Sequence, residues 1–373
     1  MSKAAELAAL IGSQSALSNR NLIINGAMQV AQRGTSETGV TGSEYANAPD
    51  RFKAQVTSAG TWTLSQSSTA PSGFANSYKW DCTTADASLA AGDVIQFAHK
   101  VEAQNLQQLQ YGNSDAQAIT VSFYVRSNKT GIYILEIFQE DSSRSISKSY
   151  TIDSANTWER KTITIQGDSS GTINDDNGTG FDMLWYLAAG SNFTSGTLAT
   201  DWASIVSANR AVGQVNLADS TSNEWYITGI QLELGEQATP FEHRSFGDEY
   251  NRCLRYTYVP RNDSTDAGDG TTIATGYCQT GPIGVYFTEF PVPMRDIPSL
   301  TTTSTASSIE QAYHNASATS HNVSDMTYVA SISGNQKACF TVASASFSGG
   351  EGAHLRYSTG NIADNIIVFS AEL

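Results

Sequence analysis

The chain has 373 residues and a net charge of -15 at pH 7, and it is 40% hydrophobic but only 15% charged. At roughly 150 residues per domain, this length predicts two or three domains with substantial cores. Binding to nucleic acid requires cations that neutralise phosphates, so an acidic chain without a Lys/Arg cluster is not expected to bind it. The sequence contains no apolar run of roughly 18 residues, and membrane insertion is not expected.

The first predicted element is a short N-terminal helix. Leu7, Leu10 and Ile11 fall on one helical face, and Gly12 is the expected stop. A helix this short is unstable alone, so residues 1–20 are predicted to be an attachment or oligomerisation arm. It would dock on its own domain, on the same helix of sister chains, or on another protein. The alternative is a frayed terminus.

Residues 21–244 show the pattern of an antiparallel β domain. Apolar residues alternate with polar ones from Ile119 to Arg126, and shorter runs follow around Ile132 and Ile163. Helix-length periodic segments are missing between these runs, which disfavours a parallel sheet. A sandwich of two sheets is the natural prediction, although alternation alone does not select its topology.

A strand, a turn and a connecting helix are predicted next. Alternation from Glu224 to Leu234 predicts a half-buried strand, and Pro240 lies in the turn that follows Gly235. Ser245 is a plausible N-cap for a helix over residues 245–258.

Residues 259–373 are predicted to form a smaller β domain. Its candidate strands cover residues 284–290, 328–332, 338–342 and 365–369, and residues 261–270 have the composition of an exposed loop. Ile366, Ile367, Val368 and Phe369 are consecutive apolar residues. A strand that is apolar on both faces is buried on both sides, which suggests that another subunit covers one of them.

Three groups of residues together resemble the tail-fibre-like structural proteins of bacteriophages, particularly marine ones. The central group is Gln231-Leu232-Glu233, Gly235, Ala238-Thr239-Pro240-Phe241-Glu242, Arg244, Asp248-Glu249, Cys253 and Arg255-Tyr256. The upstream group is Asn21-Leu22-Ile23-Ile24-Asn25-Gly26, Gln32-Arg33-Gly34 and Asp50-Arg51-Phe52, and the downstream group is Pro293-Met294-Arg295-Asp296-Ile297-Pro298.

This resemblance implies an all-β protein with an N-terminal short helix, a jelly-roll (galactose-binding-like) β-sandwich and a smaller C-terminal β-sandwich domain. It also implies a virion protein, assembled in the host cytoplasm, that forms a homotrimer, contacts other virion proteins through its N-terminus and attaches to a glycan or protein of the host surface. A tail fibre or tail appendage is the first expectation. The alternatives are a capsid-mounted decoration fibre and a glycan-cleaving tailspike.

Aromatic residues in polar contexts are the candidate sugar-binding groups. A flat ring exposed on a loop can stack on the apolar face of a sugar. Trp62, Trp80 and Trp202 lie among Ser, Thr and Asp residues and are the candidates for this role. Burial in the sandwich is the alternative for all three.

Acidic loop residues are the candidate metal ligands. Asp168, Asp175 and Asp176 could supply oxygen ligands to a structural calcium ion, and no other cofactor is expected. Their spacing differs from that of the twelve-residue calcium loop, so a solvated acidic turn is the alternative.

Signals of catalysis are weak, and the chain is predicted not to be an enzyme. Residues 167–171 spell G-x-S-x-G, but a loop composition follows instead of the helix that a nucleophile elbow requires. A glycan-cleaving enzyme would need two carboxylates at hydrolytic spacing in a cleft, which a sequence cannot demonstrate.

The motif residues themselves are predicted to be structural. Asp50, Arg51 and Arg295 suit a bidentate Arg–carboxylate pair that fixes domain geometry, or alternatively a surface charge pair. Gln231, Glu233, Pro240 and Phe241 complete the set of structural motif residues.

Overall fold

The computed structural model describes residues 20–260, 272–280, 283–302, 309–313, 320–322, 325–343, 352–357 and 367–373. The described chain forms two compact units, of which the first ends at Tyr250 and the second runs from Asn251 to Glu372, while Leu373 belongs to the first. The predicted N-terminal helix with Leu7, Leu10 and Ile11 lies outside the described residues, as do the predicted loop at 261–270 and Ile366.

Twelve strands make up the described part of the first unit. In chain order they are β1 Ser36–Val40, β2 Phe52–Thr57, β3 Thr61–Ser67, β4 Ser77–Thr84, β5 Val94–Glu102, β6 Ile119–Ser127, β7 Gly131–Gln139, β8 Arg144–Ile152, β9 Glu159–Ile165, β10 Thr179–Ala189, β11 Ala203–Ser204 and β12 Glu224–Leu234. The strands predicted around Ile119, Ile132 and Ile163 are therefore confirmed as β6, β7 and β9.

These strands form two six-stranded sheets. Sheet A has the order β1-β3-β4-β12-β6-β9 and sheet B the order β11-β8-β7-β10-β5-β2. All the strand pairings within them are antiparallel. The predicted all-β fold with a jelly-roll β-sandwich is confirmed.

The core lies between the two sheets. Inward residues such as Phe123 and Val125 of β6 and Phe181 and Trp185 of β10 belong to a single buried cluster. Because the side-chain period of a strand is two, the residues between them point to the outer faces. Packing of these large apolar side chains provides the main stabilisation of the sandwich.

Strand β10 is buried along nearly its whole length, because part of the outer face of sheet B is also covered. Residues 190–216 cross that face and include the short helices Ser191–Thr194 and Ser207–Asn209. Ala211 forms a second apolar cluster with Leu184 and Tyr186, and Phe193 and Leu198 pack against it.

The connecting helix runs from Phe246 to Leu254. Ser245 is its N-cap, since the Asp248 N–H donates to Ser245 Oγ at 3.2 Å. The helix is shorter than the predicted span of 245–258, because the Tyr256 N–H turns back to the Cys253 carbonyl and residues 257–258 enter a sheet. None of the helices in the described ranges is long and apolar enough to cross a membrane.

The described part of the second unit is also a β-sandwich. Its strands are β13 Thr257–Tyr258, β14 Thr272–Thr280, β15 Ile283–Glu289, β16 Ser299–Thr302, β17 Ile309–Tyr313, β18 Ser320–Asn322, β19 Asp325–Tyr328, β20 Lys337–Ala343, β21 Gly352–Tyr357 and β22 Ile367–Ser370. A three-stranded sheet, β13-β22-β16, and a seven-stranded sheet, β18-β17-β21-β14-β15-β20-β19, share one buried cluster that includes Phe340 and Phe369.

Two predictions about the second unit need correction. The strand expected at 328–332 ends at Tyr328, and residues 330–332 form a 3-10 turn. In β22, Ile367, Val368 and Phe369 are all buried by the chain itself. The apolar run therefore needs no second subunit to cover it, and the homotrimer stays a prediction from the resemblance.

Candidate functional site

Residues 190–216 pack on the part of the outer face of sheet B that carries Leu184 and Tyr186. The covered part includes a buried ion pair, in which Arg210 lies 2.8 Å from Glu136. Tyr186 also donates to Glu136, at 2.9 Å. Arg210 Nε also donates to both Glu136 oxygens at 2.9 Å, so this pair is a structural anchor for the covering segment.

Phe138, Asp182 and Lys100 form one row of neighbours farther along this face, in which Phe138 and Lys100 are half-buried and Asp182 is buried. Asp182 of β10 lies opposite Phe138 of β7 on one side and opposite Lys100 of β5 on the other. Phe181 and Met183, the neighbours of Asp182 along the strand, belong to the sandwich core. The Asp182 side chain must therefore point to the outer face.

Lys53 and Tyr45 extend this region toward the edge of the sheet. Lys53 of β2 lies opposite Ala98 of β5, and the pairing of Glu44 with Ala54 places the preceding segment beside β2. The Lys53 Nζ lies 5.6 Å from the centre of the Tyr45 ring, within the range of a cation–π contact. We call the group formed by Tyr45, Lys53, Lys100, Phe138, Glu140 and Asp182 the Asp182 surface.

The centre of the Asp182 surface is an incompletely satisfied carboxylate. Asp182 is only 5% exposed, and its Oδ1 has no hydrogen-bond partner in the described structure. Its Oδ2 lies 3.9 Å from the Lys100 Nζ, and the same ammonium is 3.3 Å from Glu140 Oε1. A buried oxygen without a donor costs free energy, and because this oxygen has almost no exposed surface, a ligand would reach it only after a neighbouring side chain moved.

The electrostatics agree with this geometry. Burial raises the pKa of Asp182 to about 6, Lys100 opposes the rise and Glu140 adds to it. A raised pKa shows that the surroundings of this carboxylate stabilise its charge poorly. A hydrogen bond from a ligand hydroxyl would lower that cost.

Arg51, a predicted structural motif residue, supports the same strand. Arg51 is buried in a left-handed backbone conformation with φ 76°, and its Nη2 donates to the Lys100 carbonyl at 2.9 Å. Its neighbour Asp50 accepts hydrogen bonds from the Gln32 backbone and side-chain N–H groups at 3.0 and 2.7 Å. These contacts lie within the first unit, and a role in fixing domain geometry stays a prediction.

The structure places the predicted tryptophans elsewhere. Trp62 and Trp80 are completely buried, and their rings pack edge to face at 5.6 Å in the core. A buried ring offers no face to a sugar, so their proposed role as an exposed platform is wrong. Trp202 is half-buried, packs against Tyr111 and Phe181, and donates from Nε1 to the Gln166 carbonyl at 2.7 Å.

The predicted calcium ligands are not brought together as an ion site. Asp168 is paired with Arg144, whose Nε donates to its Oδ2 at 2.6 Å, and with Gln139 at 2.9 Å. Burial alone would raise the pKa of Asp168, but hydrogen bonds from Arg144 and from the backbone of Ser170 and Gly171 hold that pKa below its usual value.

The other two predicted ligands occupy an exposed turn. Asp176 accepts the Gly178 N–H at 2.8 Å, and Asp175 is exposed beside it. Searched across the described ranges, the chain has no group of three His, Cys, Asp or Glu side chains that could hold a metal ion. The arginine at Asp168 takes the position that a cation would need, so the calcium assignment to these residues is not supported.

Residues of the central and upstream motifs form one hydrogen-bond network in the first unit. Glu233 accepts the Thr239 N–H at 2.9 Å, and Gln231 donates to Glu233 and accepts the Glu242 N–H at 2.8 Å. Asn21 belongs to this network, because its N–H donates to Glu242 Oε2 at 2.9 Å.

Two further motif residues, Pro240 and Phe241, lie beside this hydrogen-bond network. The Pro240 carbonyl accepts a hydrogen bond from Arg20 at 3.1 Å, and the Phe241 ring packs against Phe74 at 5.0 Å. In the second unit, Arg295 donates to the carbonyls of Ala371 and Glu372 at 2.7 and 3.1 Å. The motif residues thus fix backbone segments, as a structural role requires.

Sequence reasoning did not identify the residues of the Asp182 surface. The available signal was Asp182 itself, a charged residue inside the otherwise apolar run of β10, T-G-F-D-M-L-W-Y-L-A-A. Asp is almost never fully buried without a partner, so its position in such a strand marks a special environment.

Comparison with known proteins adds distant structural likenesses. No family model and no curated protein matches the chain. A family 11 carbohydrate-binding module of a Clostridium thermocellum cellulosomal cellulase is similar at 10% identity and a TM-score of 0.27, over 54% of this chain and 99% of that one. A carbohydrate-binding module in complex with β-1,4-galactotriose is similar at 11% identity and a TM-score of 0.26, over 59% of this chain and all of that one.

A phage protein is also among the similar structures. The enzymatically active domain of tailspike protein 4 of bacteriophage CBA120 is similar at 11% identity and a TM-score of 0.30, over 57% of this chain. The chain spans about a fifth of that structure, since 21% of it is covered. At these identities and TM-scores, the assignment of a jelly-roll sandwich rests on the strand pairing and the shared core described above.

Proposed function

We propose that the chain is a structural component of a phage virion, a tail fibre or tail appendage, which attaches to the host surface by binding glycan at the Asp182 surface. The observation that carries glycan binding is the half-buried Phe138 ring on the outer face of sheet B, in one row with Lys100 and with the incompletely paired Asp182 carboxylate. The virion location rests on the resemblance of the motifs around Asn21, Gln231 and Arg295.

The chemistry of the Asp182 surface suits a sugar. Sugar-binding sites combine an aromatic side chain with a few placed polar groups. Phe138 is half-buried beside Asp182, while Lys100 is a donor and Glu140 an acceptor at the same place. The ligand would stack on the ring and exchange hydrogen bonds with the charged groups.

The proposed action is binding without cleavage. A hydrolytic pair of carboxylates needs space for the scissile bond or a water between them. Here the Lys100 ammonium lies between Asp182 and Glu140, at 3.9 and 3.3 Å. This arrangement favours adhesion over the glycan-cleaving alternative.

A glycan array tests the proposal. The full chain is expected to bind a subset of bacterial surface glycans, and Asp182→Asn is expected to reduce that signal about tenfold, as loss of a hydrogen bond to a charged group does. Asp153→Asn is the matched control, because Asp153 pairs with Lys161 on the surface and its side chain is 70% exposed. Absence of signal for the folded chain would overturn glycan binding.

The location on the particle needs its own measurement. Cryo-electron microscopy of intact particles is expected to show the chain in the tail. Density on the capsid surface would instead support the decoration fibre and would remove the argument for host attachment. Release of shorter oligosaccharides from a bound glycan would favour the tailspike.

A further inference from the structure

We infer that the second unit carries a further oligosaccharide-binding site, formed by the outer face of its seven-stranded sheet and by a cleft at the end of that face. The inference rests on the proposed glycan-binding function for its class of ligand. Its residues are distinct from those of the Asp182 surface, so each site can be tested without the other.

Two aromatic rings lie exposed on neighbouring strands of this sheet. Tyr277 of β14 is 46% exposed and Phe287 of β15 is 37% exposed. Both side chains point to the outer face, because their chain neighbours Cys278 and Tyr286 belong to the buried core. Tyr277 pairs with Val285, two residues before Phe287, so the two rings are diagonal neighbours whose Cβ atoms lie roughly 7 Å apart. A ligand can therefore reach both rings without moving any side chain.

A cleft opens where β15 ends. It is lined by residues 289–293 and 334–337, and its volume of about 710 Å³ falls within the range of roughly 300 to 1,000 Å³ that is usual for small-ligand sites. The Phe290 N–H donates to the Gln336 carbonyl at 2.9 Å, and the Met294 N–H donates to the Asn335 carbonyl at 2.7 Å. These backbone bonds join the two lining segments, so the cleft is preformed.

The lining of the cleft combines apolar and neutral polar groups. Pro291, Val292 and Pro293 offer apolar C–H surface, and the exposed side chains of Asn335 and Gln336 each present an amide. An amide both donates and accepts hydrogen bonds, as a sugar hydroxyl does, so the two groups can pair in either direction. Apolar surface with a few placed polar groups is the combination that binds a sugar.

The rings and the cleft are continuous. Glu289 lies two residues beyond Phe287 in β15, so it points to the same face, and it also lines the cleft. From the level of Tyr277 to that of Glu289 the strand advances by about 13 Å, which is farther than one sugar ring reaches. The ligand is therefore a chain of several sugars. We call Tyr277, Phe287 and the cleft the Phe287 strip.

The shape and the polarity of the Phe287 strip favour a glycan over a protein partner. Thr275 lies directly opposite Phe287, and Thr341 lies opposite Val285, so hydroxyl groups alternate with apolar side chains across the face. A narrow ligand with hydroxyls along its length matches both this face and the cleft. A protein partner in a stable interface buries about 800 Å² of its own surface, and a surface of that width does not enter such a cleft.

Isothermal titration calorimetry of the full chain tests the inference with hexasaccharides of glucose, of galactose and of mannose. At least one is expected to bind, and Phe287→Ala is expected to weaken that binding about tenfold, since it removes the stacking ring. Asn335→Ala is expected to weaken it by about the same factor through a lost hydrogen bond. Phe246→Ala is the matched control, because Phe246 is an exposed ring of the connecting helix, and it should leave the affinity unchanged.

The variant Phe138→Leu, which removes the ring of the Asp182 surface, separates the two proposals. Weaker binding in Phe287→Ala alone supports the Phe287 strip and overturns the Asp182 surface, and weaker binding in Phe138→Leu alone does the reverse. Partial loss in each variant supports both sites. Absence of binding to every ligand, with circular dichroism showing a folded chain, overturns both. Self-association of the chain that Phe287→Ala abolishes, without any glycan binding, would assign the face to a second copy and overturn the inference.

Discussion

Asp182 and Lys100 are direct cross-strand partners on β10 and β5, yet their charged atoms are 3.9 Å apart and one Asp182 oxygen has no hydrogen-bond partner in the described structure. The strand pairing holds the two residues side by side, and the Lys100 ammonium is drawn toward Glu140, 3.3 Å away. The result is a buried carboxylate that is only partly neutralised. Carboxylates with a strongly perturbed pKa are enriched at functional sites, and they also occur in structural ion-pair networks.

The first prediction concerns stability at Asp182. Its pKa is about 6 in the folded protein against 3.8 as the ordinary value, so the folded state holds the proton more tightly. This contribution to stability is present below pH 3.8 and is lost as the pH rises through about 6. Asp182→Asn should therefore raise the free energy of unfolding at pH 8, by up to about 3 kcal/mol. Urea denaturation at pH 8 and pH 4 measures it, and an equal gain at both pH values would contradict it.

The second prediction concerns His99, which is 1% exposed and lies 4.9 Å from the Phe52 ring. Burial lowers the pKa of His99 well below its ordinary value of 6.5, and the charge of Arg51 adds to the shift. A lowered histidine pKa means that the unfolded state takes up the proton first, so stability is lost as the pH falls below 6.5. The loss should approach about 1.4 kcal/mol per pH unit.

The change of the free energy of unfolding with pH is best measured in the Asp182→Asn variant. Asp182 stabilises the folded state as the pH falls, over a pH range that overlaps the one in which His99 destabilises it. His99→Gln should be less stable at pH 7 and should show a flatter dependence between pH 6.5 and 5. A slope that persists in the variant would assign the acid sensitivity to other groups.

The third prediction concerns the Arg144–Asp168 pair. Arg144→Met would leave the Asp168 charge buried with reduced compensation, since the Asp168 side chain is only 2% exposed. The expected loss of stability is about 2 to 4 kcal/mol, moderated by the partial exposure of Arg144. Asp168→Asn in the same chain should recover part of it. Thermal denaturation with and without millimolar calcium tests the predicted calcium site at Asp168. If calcium returned the stability of Arg144→Met to that of the unmodified chain, a calcium site at Asp168 would again be supported.

The fourth prediction concerns the hydrogen-bond network of the motif residues around Asn21. Its Oδ1 accepts from the Ile23 and Leu232 N–H groups at 3.0 and 3.1 Å, and its Nδ2 donates to the Ile230 carbonyl at 3.0 Å. Asn21→Ala leaves these buried backbone groups unpaired, at a cost of about 2 to 3 kcal/mol. Asn105→Ala, at an exposed position of a 3-10 segment, is the matched control. Equal denaturation midpoints for the two variants would show that the hydrogen-bond network at Asn21 contributes little to stability.

Several features follow directly from local sequence pattern. Alternation predicted β6, β7 and β9 because successive side chains of a strand point to opposite faces, so the residues of one face recur with period two. Ser245 was identifiable as a cap because a hydroxyl before a helical run satisfies a free N–H group. The motif residues were visible as a pattern, but their hydrogen-bond partners were not.

Other features depend on which surfaces the fold covers. Trp62 and Trp80 lie in polar sequence, yet both point into the core, because alternation shows which residues share a face and does not show which face is buried. The apolar run of β22 suggested a second subunit, but the chain itself buries Ile367, Val368 and Phe369.

The sequence by itself determined an antiparallel β protein with a capped connecting helix, because local periodicity and capping are properties of neighbouring residues. Tertiary structure alone decided the candidate site. Phe138, Asp182 and Lys100 come from β7, β10 and β5, which are neighbours in the sheet but not along the chain. Strand order depends on how two whole sheets bury their apolar faces together, and no local pattern encodes it.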